Sequence, residues 1–289
     1  MVHITETARR NLVVTGFVLL CLLPTLAMLA WIVRLHWPGR ARAEARQLEA
    51  LLGLRVSLEE VEHLSPGRAV YKGLQLSDPE TGQGVLRCRR LETDWQEAAG
   101  DDSTKNARLL ILMAESPEIN GAQMPNLWRL LNRQLTGRSA GQNIGVRLSA
   151  AELTVHTAQR PEVLEEVHAS LDQMAAGTQA RLSFLDQGQA VSEPATIRIG
   201  RNRQTTPPAT GFELYTGTAD MPGSLLALGL PAIGPLGDDA RFHGYIWANQ
   251  NPQGWAGELT GQWTDVELDR LITDHFPHTL SGLARMTVE

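Results

Sequence analysis

The residues most able to hold a metal or shuttle a proton come together at Asp274-His275-Phe276-Pro277-His278, with Asp269 upstream. Paired imidazoles and carboxylates are zinc-ligand chemistry. Pro277, however, breaks the helix that would turn both rings to one side, and no third ligand recurs nearby, so solvated turn histidines are expected here. His63, His156, His168 and His243 occur singly on strands or at turns. The chain has no H-E-x-x-H, S-x-x-K or phosphate loop, and Gly82-Gln83-Gly84 lacks the third glycine and helix of a dinucleotide fingerprint. Asp101 and Asp102 have no apolar surroundings to separate two carboxylate pKa values. Cys88 alternates with Leu86 and reads as a small buried hydrophobe. The chain is therefore read as a non-enzyme with no catalytic residue, metal or cofactor.

The remaining candidates are apolar. Leu109, Ile111 and Met113 belong to a stretch, LLILM, that is hydrophobic on both faces of a strand, so one face needs a core and the other needs a cover. Trp247, Trp255 and Trp263 cluster downstream. Trp255 and Trp263 are an even number of residues apart and suit core filling; alternatively the tryptophans line the mouth of a groove. Leu109, Ile111, Met113, Trp247 and Trp255 are the candidate groove-lining residues.

Short strands position these residues. From residue 54 onward the apolar period is two: Val56 and Leu58, Leu74 and Leu76, Ile144 to Leu148, Leu182 and Phe184, Ile197 and Ile199, Phe212 and Leu214, Met286 and Val288. About a dozen strands of this kind predict a mainly β fold, an open antiparallel groove or sandwich-like domain with short helices. The helices are expected from Pro125 to Gly137, over 221–229, and after a Thr264/Glu267 capping box. No long repeat survives inspection, and one β domain is expected over 54–289.

Residues 12–33 carry no charge. As a helix they would measure about 33 Å, enough to cross a hydrocarbon core of roughly 30 Å. Arg9, Arg10, Trp31 and Trp37 flank the run as membrane-interface residues, and the small residues near its end, Ala27 and Ala30, are not in the A-x-A spacing of a cleavage site. The expected order is a cytoplasmic tail (1–11), a retained transmembrane helix (12–33), a juxtamembrane helix (34–53) and the β domain. Up to residue 55 seven arginines face three glutamates, whereas the remainder carries 19 basic against 29 acidic residues. An acidic, dispersed charge set excludes counter-ion release from nucleic acid. The arginines after the span would by themselves favour a cytoplasmic C-terminal domain, although long domains translocate largely regardless of local charge.

Four stretches together resemble the AsmA-like family of bacterial envelope proteins: LGLRVSLEEVEHLSPGRAVYKGLQLSDPETGQGVLRCRRLE (52–92), SPEINGAQMPNLWRLLNRQL (116–135) with its Asn126-Leu127 helix opening, GYIWANQNPQGWAGELTGQWTDVELDRLI (244–272) and LSGLARMTVE (280–289). The resemblance implies a short member with a repeating β-groove, anchored in the inner membrane with its β domain in the periplasm. It further implies lipid transport or envelope homeostasis, with phospholipid acyl chains as ligands. From the residues, a different function is equally open: an anchored structural or interaction module whose edge strand pairs with an envelope protein.

Overall fold

The computed structural model describes residue 10 and residues 14–35, 39–97, 108–137, 144–174, 177–186, 193–251, 254–272 and 282–288. The chain forms two compact units, Met1–Glu44 and Ala45–Glu289.

In the first unit, residues 14–35 are helical but do not form one uninterrupted α-helix. A π-type stretch, Val18–Leu22, precedes an α-helix at Leu23–Leu35, and the Leu23 N–H donates to the Val18 carbonyl. Pro24, which has no N–H and whose ring crowds the carbonyl four residues back, stands just past the irregularity. Among the described residues no helix is long and apolar enough to cross a membrane. The expected single spanning helix over 12–33 is therefore not observed as such. Arg9 and Trp37 lie outside the described residues, Arg10 is exposed, and the backbone of Trp31 lies in the helix.

The second unit opens with the end of a helix at Gly39–Leu52. Gly53 stops it: at φ +70°, a conformation that only glycine adopts freely, its N–H closes on the Glu49 carbonyl at 2.8 Å. The described residues then build one fourteen-stranded sheet. The strands are β1 (Arg55–Ser57), β2 (Glu60–Ser65), β3 (Arg68–Ser77), β4 (Gly84–Glu97), β5 (Arg108–Asn120), β6 (Ile144–His156), β7 (Pro161–Met174) and β8 (Gly177–Asp186). They continue with β9 (Ala195–Asn202), β10 (Ala209–Tyr215), β11 (Met221–Pro222), β12 (Arg241–Asn251), β13 (Gly254–Glu267) and β14 (Leu283–Val288). The order is β1-β3-β4-β5-β6-β7-β8-β9-β10-β12-β13-β14, with β2 also on β3 and β11 on β12.

Three expectations need correction. The fold is a single continuous sheet and not a sandwich, because each long strand pairs with its sequence neighbour instead of switching layers. The sheet is mixed and not wholly antiparallel: β5 and β6 run parallel. A parallel pair needs a crossover, and the helix at Met124–Thr136 supplies it, with Pro in its first turn. Third, Thr264 is not a helix cap. β13 runs on through it to Glu267 around a bulge between Trp263 and Val266, with Asp265 at φ +56°. The Glu267 carboxylate instead accepts the Asp238 N–H at 3.1 Å and pairs with Arg270 at 2.7 Å.

Two clusters form the core. The smaller packs Ala45, Leu54, Val56, Leu74, Leu76, Val85 and Cys88, with Leu127 of the crossover helix against them. The larger lies under a cap made of the short helix Gly223–Ala227 and the 3-10 turn Pro231–Leu236, and includes Phe184, Leu214, Met221, Leu226 and Val266. Phe242 and Trp263 meet at its centre, ring centroids 4.8 Å apart. Their strands close tightly because Gly261 has no side chain: a Cβ there would collide with the His243 carbonyl and the Phe242 ring.

A candidate apolar groove on one face of the sheet

Residues paired across strands share a face, so the register decides which side chains form a surface. One row runs Leu112–Leu148–Ala169–Leu182–Ile197–Leu214–Ile246–Leu259 and a second, beside it, runs Leu110–Val146–Leu171–Ala180–Ile199–Phe212–Ala248–Gly257. Each row crosses eight strands without a polar side chain. At about 4.8 Å per strand spacing the stripe follows the sheet for roughly 34 Å.

Its cover is incomplete. Leu214 and Ile246 are buried, but Leu112, Leu148, Leu171, Leu182, Ile197, Ile199, Phe212 and Leu259 are only half-buried. The rows toward the cap, with Val167, Phe184, Ala195 and Phe242, are fully buried. The crossover helix approaches β4 at one end and β8 and β9 at the other. Thirteen residues give a helix of about 20 Å, close to the roughly 19 Å separating β4 from β8, so the helix lies across the strands on this face.

Both ends of that helix are fixed by polar contacts. At its start, Asn126 Nδ2 donates to Asp78 Oδ2 at 2.9 Å and to Gln123 Oε1 at 2.6 Å, the Gln123 amide donates to Gln83, and Arg129 donates to Asn126. Asp78, Gln123 and Asn126 are buried. The Asp78 carboxyl lies below its ordinary value because the Glu80 N–H and then the Asn126 amide favour its charged form. At its end, the Arg203 guanidinium donates to the Leu135 carbonyl at 3.2 Å and the Gly137 carbonyl at 2.6 Å, satisfying carbonyls that a helix terminus leaves open.

The opposite face is polar. Lys72 holds Glu60 and Glu62, Arg147 meets Asp172 at 2.7 Å, and Arg90 meets Glu92 at 2.7 Å. Leu109, Ile111 and Met113 lie on this face: Ile111 pairs with Asp94 and Arg147, and Met113 with Glu92 and Ser149. Their alternates Leu110 and Leu112 join the apolar rows. Trp247 is also on the polar face, opposite Glu213 and 37% exposed. The backbone of Trp255 pairs with Gln250, in line with the apolar rows, and its side chain lies outside the described residues. The expected lining residues are thus not brought together. The rows that do form are built from the same alternation that marked the strands, but alternation alone does not state which neighbours share a register.

Cys88 is 2% exposed and burial pushes its thiol up, so it packs as a small hydrophobe. His156 and His243 are exposed beside Glu118 and Asp220 at 3.6 Å and 3.5 Å. His275 and His278 lie outside the described residues. Among the described residues no three His, Cys, Asp or Glu side chains group at metal-binding distances.

No family model matches this chain, and no curated protein matches it.

Proposed function

We propose that the chain is a membrane-anchored β-groove protein that shields phospholipid acyl chains, as an AsmA-like protein would, with its β domain on the periplasmic side of a bacterial inner membrane. The observation that carries this reading is the pair of apolar rows across eight strands, half-buried over much of their length. An acyl chain leaving a bilayer loses about 0.8 kcal/mol per exposed CH₂ unless another apolar surface replaces the lipid. A continuous apolar stripe is such a surface.

The anchor is supported by a separate observation. In the first unit Leu20, Met28 and Leu29 are 80%, 68% and 62% exposed, a display of large apolar side chains that suits lipid and not water. The π-type stretch next to Pro24 is compatible with a bilayer, where local π adjustments re-satisfy the carbonyls a proline frees. Sidedness is tested with Thr81→Cys, an exposed turn position, in a variant lacking Cys21 and Cys88. Labelling by a membrane-impermeant thiol reagent in intact spheroplasts is expected; labelling only after permeabilisation contradicts the periplasmic assignment.

A second reading rests on β14. Among the described residues it pairs with β13 alone, and it carries Leu283, 67% exposed, so that its other side presents an edge to which another chain could add. Native mass spectrometry of detergent-extracted full chain separates the two. Co-purifying phospholipid supports the groove, a stoichiometric protein partner supports edge pairing, and bare protein counts against both.

A further inference from the structure

On the polar face, strands β8, β9, β10 and β12 carry a feature that the groove does not use. Arg181 on β8 is the direct cross-strand partner of Arg198 on β9, which is opposite Glu213 on β10. The adjacent row places Thr196 opposite Tyr215 and Tyr215 opposite Tyr245. Together with Glu193 these side chains line an open depression of about 420 Å³. That size falls within the roughly 300–1,000 Å³ of small-molecule sites.

Like charges directly opposite on a strand pair are destabilising unless something of opposite sign lies between them. The other pair of cations that face each other across described strands is compensated. Lys72 is opposite Arg90, but Glu60 and Glu62 hold the first, at 3.1 Å for Glu60, and Glu92 holds the second at 2.7 Å. At Arg181 and Arg198 the compensation is incomplete. Glu213 reaches Arg198 only at 3.8 Å, and Glu193 accepts the Tyr215 hydroxyl at 3.2 Å. Arg181 makes no ion pair or hydrogen bond with another described residue, and the neighbouring segment 187–192 contains no acidic residue. The Tyr245 hydroxyl is likewise without a protein partner among the described residues. The depression therefore gathers two guanidiniums, a phenol donor and two carboxylates, and with Glu213 on Arg198 and Glu193 on Tyr215 it is Arg181 that has no counter-charge among the described residues.

We propose that this depression binds a phosphate group, held between Arg181 and Arg198 with the tyrosine rings beside whatever the phosphate carries. Guanidinium forks match phosphate oxygens bidentately, and the volume exceeds what a bare phosphate needs, so the ligand is a small phosphate ester or an anionic lipid headgroup. The site lies on the face opposite the apolar rows and stands whether or not those rows bind acyl chains.

The test uses the purified full chain in detergent with two probes: glycerol 3-phosphate by calorimetry, and short-chain phosphatidylglycerol against short-chain phosphatidylcholine by native mass spectrometry. Arg181→Gln and Arg198→Gln are each expected to weaken binding by about tenfold or more. Arg147→Gln, which alters a paired arginine on the same face, is the control and is expected to bind as the wild type does. Binding of glycerol 3-phosphate identifies a soluble ester; binding of phosphatidylglycerol alone identifies a headgroup. The proposal is overturned if neither probe binds saturably, or if Arg181→Gln binds as tightly as Arg147→Gln. Retained phosphatidylglycerol that is indifferent to Arg181 but lost on Leu182→Asp belongs to the apolar groove and also overturns it.

Discussion

At the level of single residues, Asp78 and Asn126 carry more of the architecture than any residue singled out for chemistry. Asn126 joins the β3–β4 turn to the start of the crossover helix through one buried amide, and with it sets where the helix crosses the sheet. Replacing Asn126 by Ala strands the Asp78 and Gln123 oxygens, and a loss of about 1–3 kcal/mol in denaturant unfolding is expected. Asp78 adds a pH dependence. Its folded pKa is depressed below 3.8, so its stabilising contribution is present above that value and is lost as the pH falls through the folded pKa. In thermal melts the advantage of wild type over Asp78→Asn should be constant near neutrality and shrink in strong acid; an advantage that grows with acidification contradicts the assignment. The sequence displayed both residues, in an Asp-Pro turn and an Asn-Leu helix opening, but 48 positions apart, and nothing in local spacing states that they touch.

At the level of elements, strand positions were legible because period-two alternation is a local property, and so were the crossover helix and the cap helix, marked by Pro125 and the 221–229 run. Register and direction were not, since both depend on partners far along the chain. LLILM shows the difference. Its five residues are apolar without alternation, so nothing local supports the expected odd positions Leu109, Ile111 and Met113 over the even ones, and pairing with β4 and β6 assigns the even ones to the apolar rows. This assignment predicts unequal neighbours. Met113→Gln, on the polar face and 43% exposed, should change unfolding free energy by less than about 0.5 kcal/mol, whereas Leu112→Gln, beside Leu148, should cost about 1–3 kcal/mol. Equal costs would mean that the register places both residues in similar surroundings.

At the level of the whole sheet, the two faces divide the work: charge pairs on one side keep it in water, and on the other an apolar stripe passes from a sealed core under the cap to a half-covered region. A closed hydrophobic core would bury those rows fully; a groove leaves them available to a chain-like ligand. The most direct measurement places a photoreactive residue at Leu148, on the apolar rows, and separately at Ser149, its neighbour on the polar face, in cells expressing the full chain. Irradiation is expected to yield phospholipid acyl-chain adducts from position 148 and not from 149. No adduct from 148, or equal adducts from both, would contradict the account.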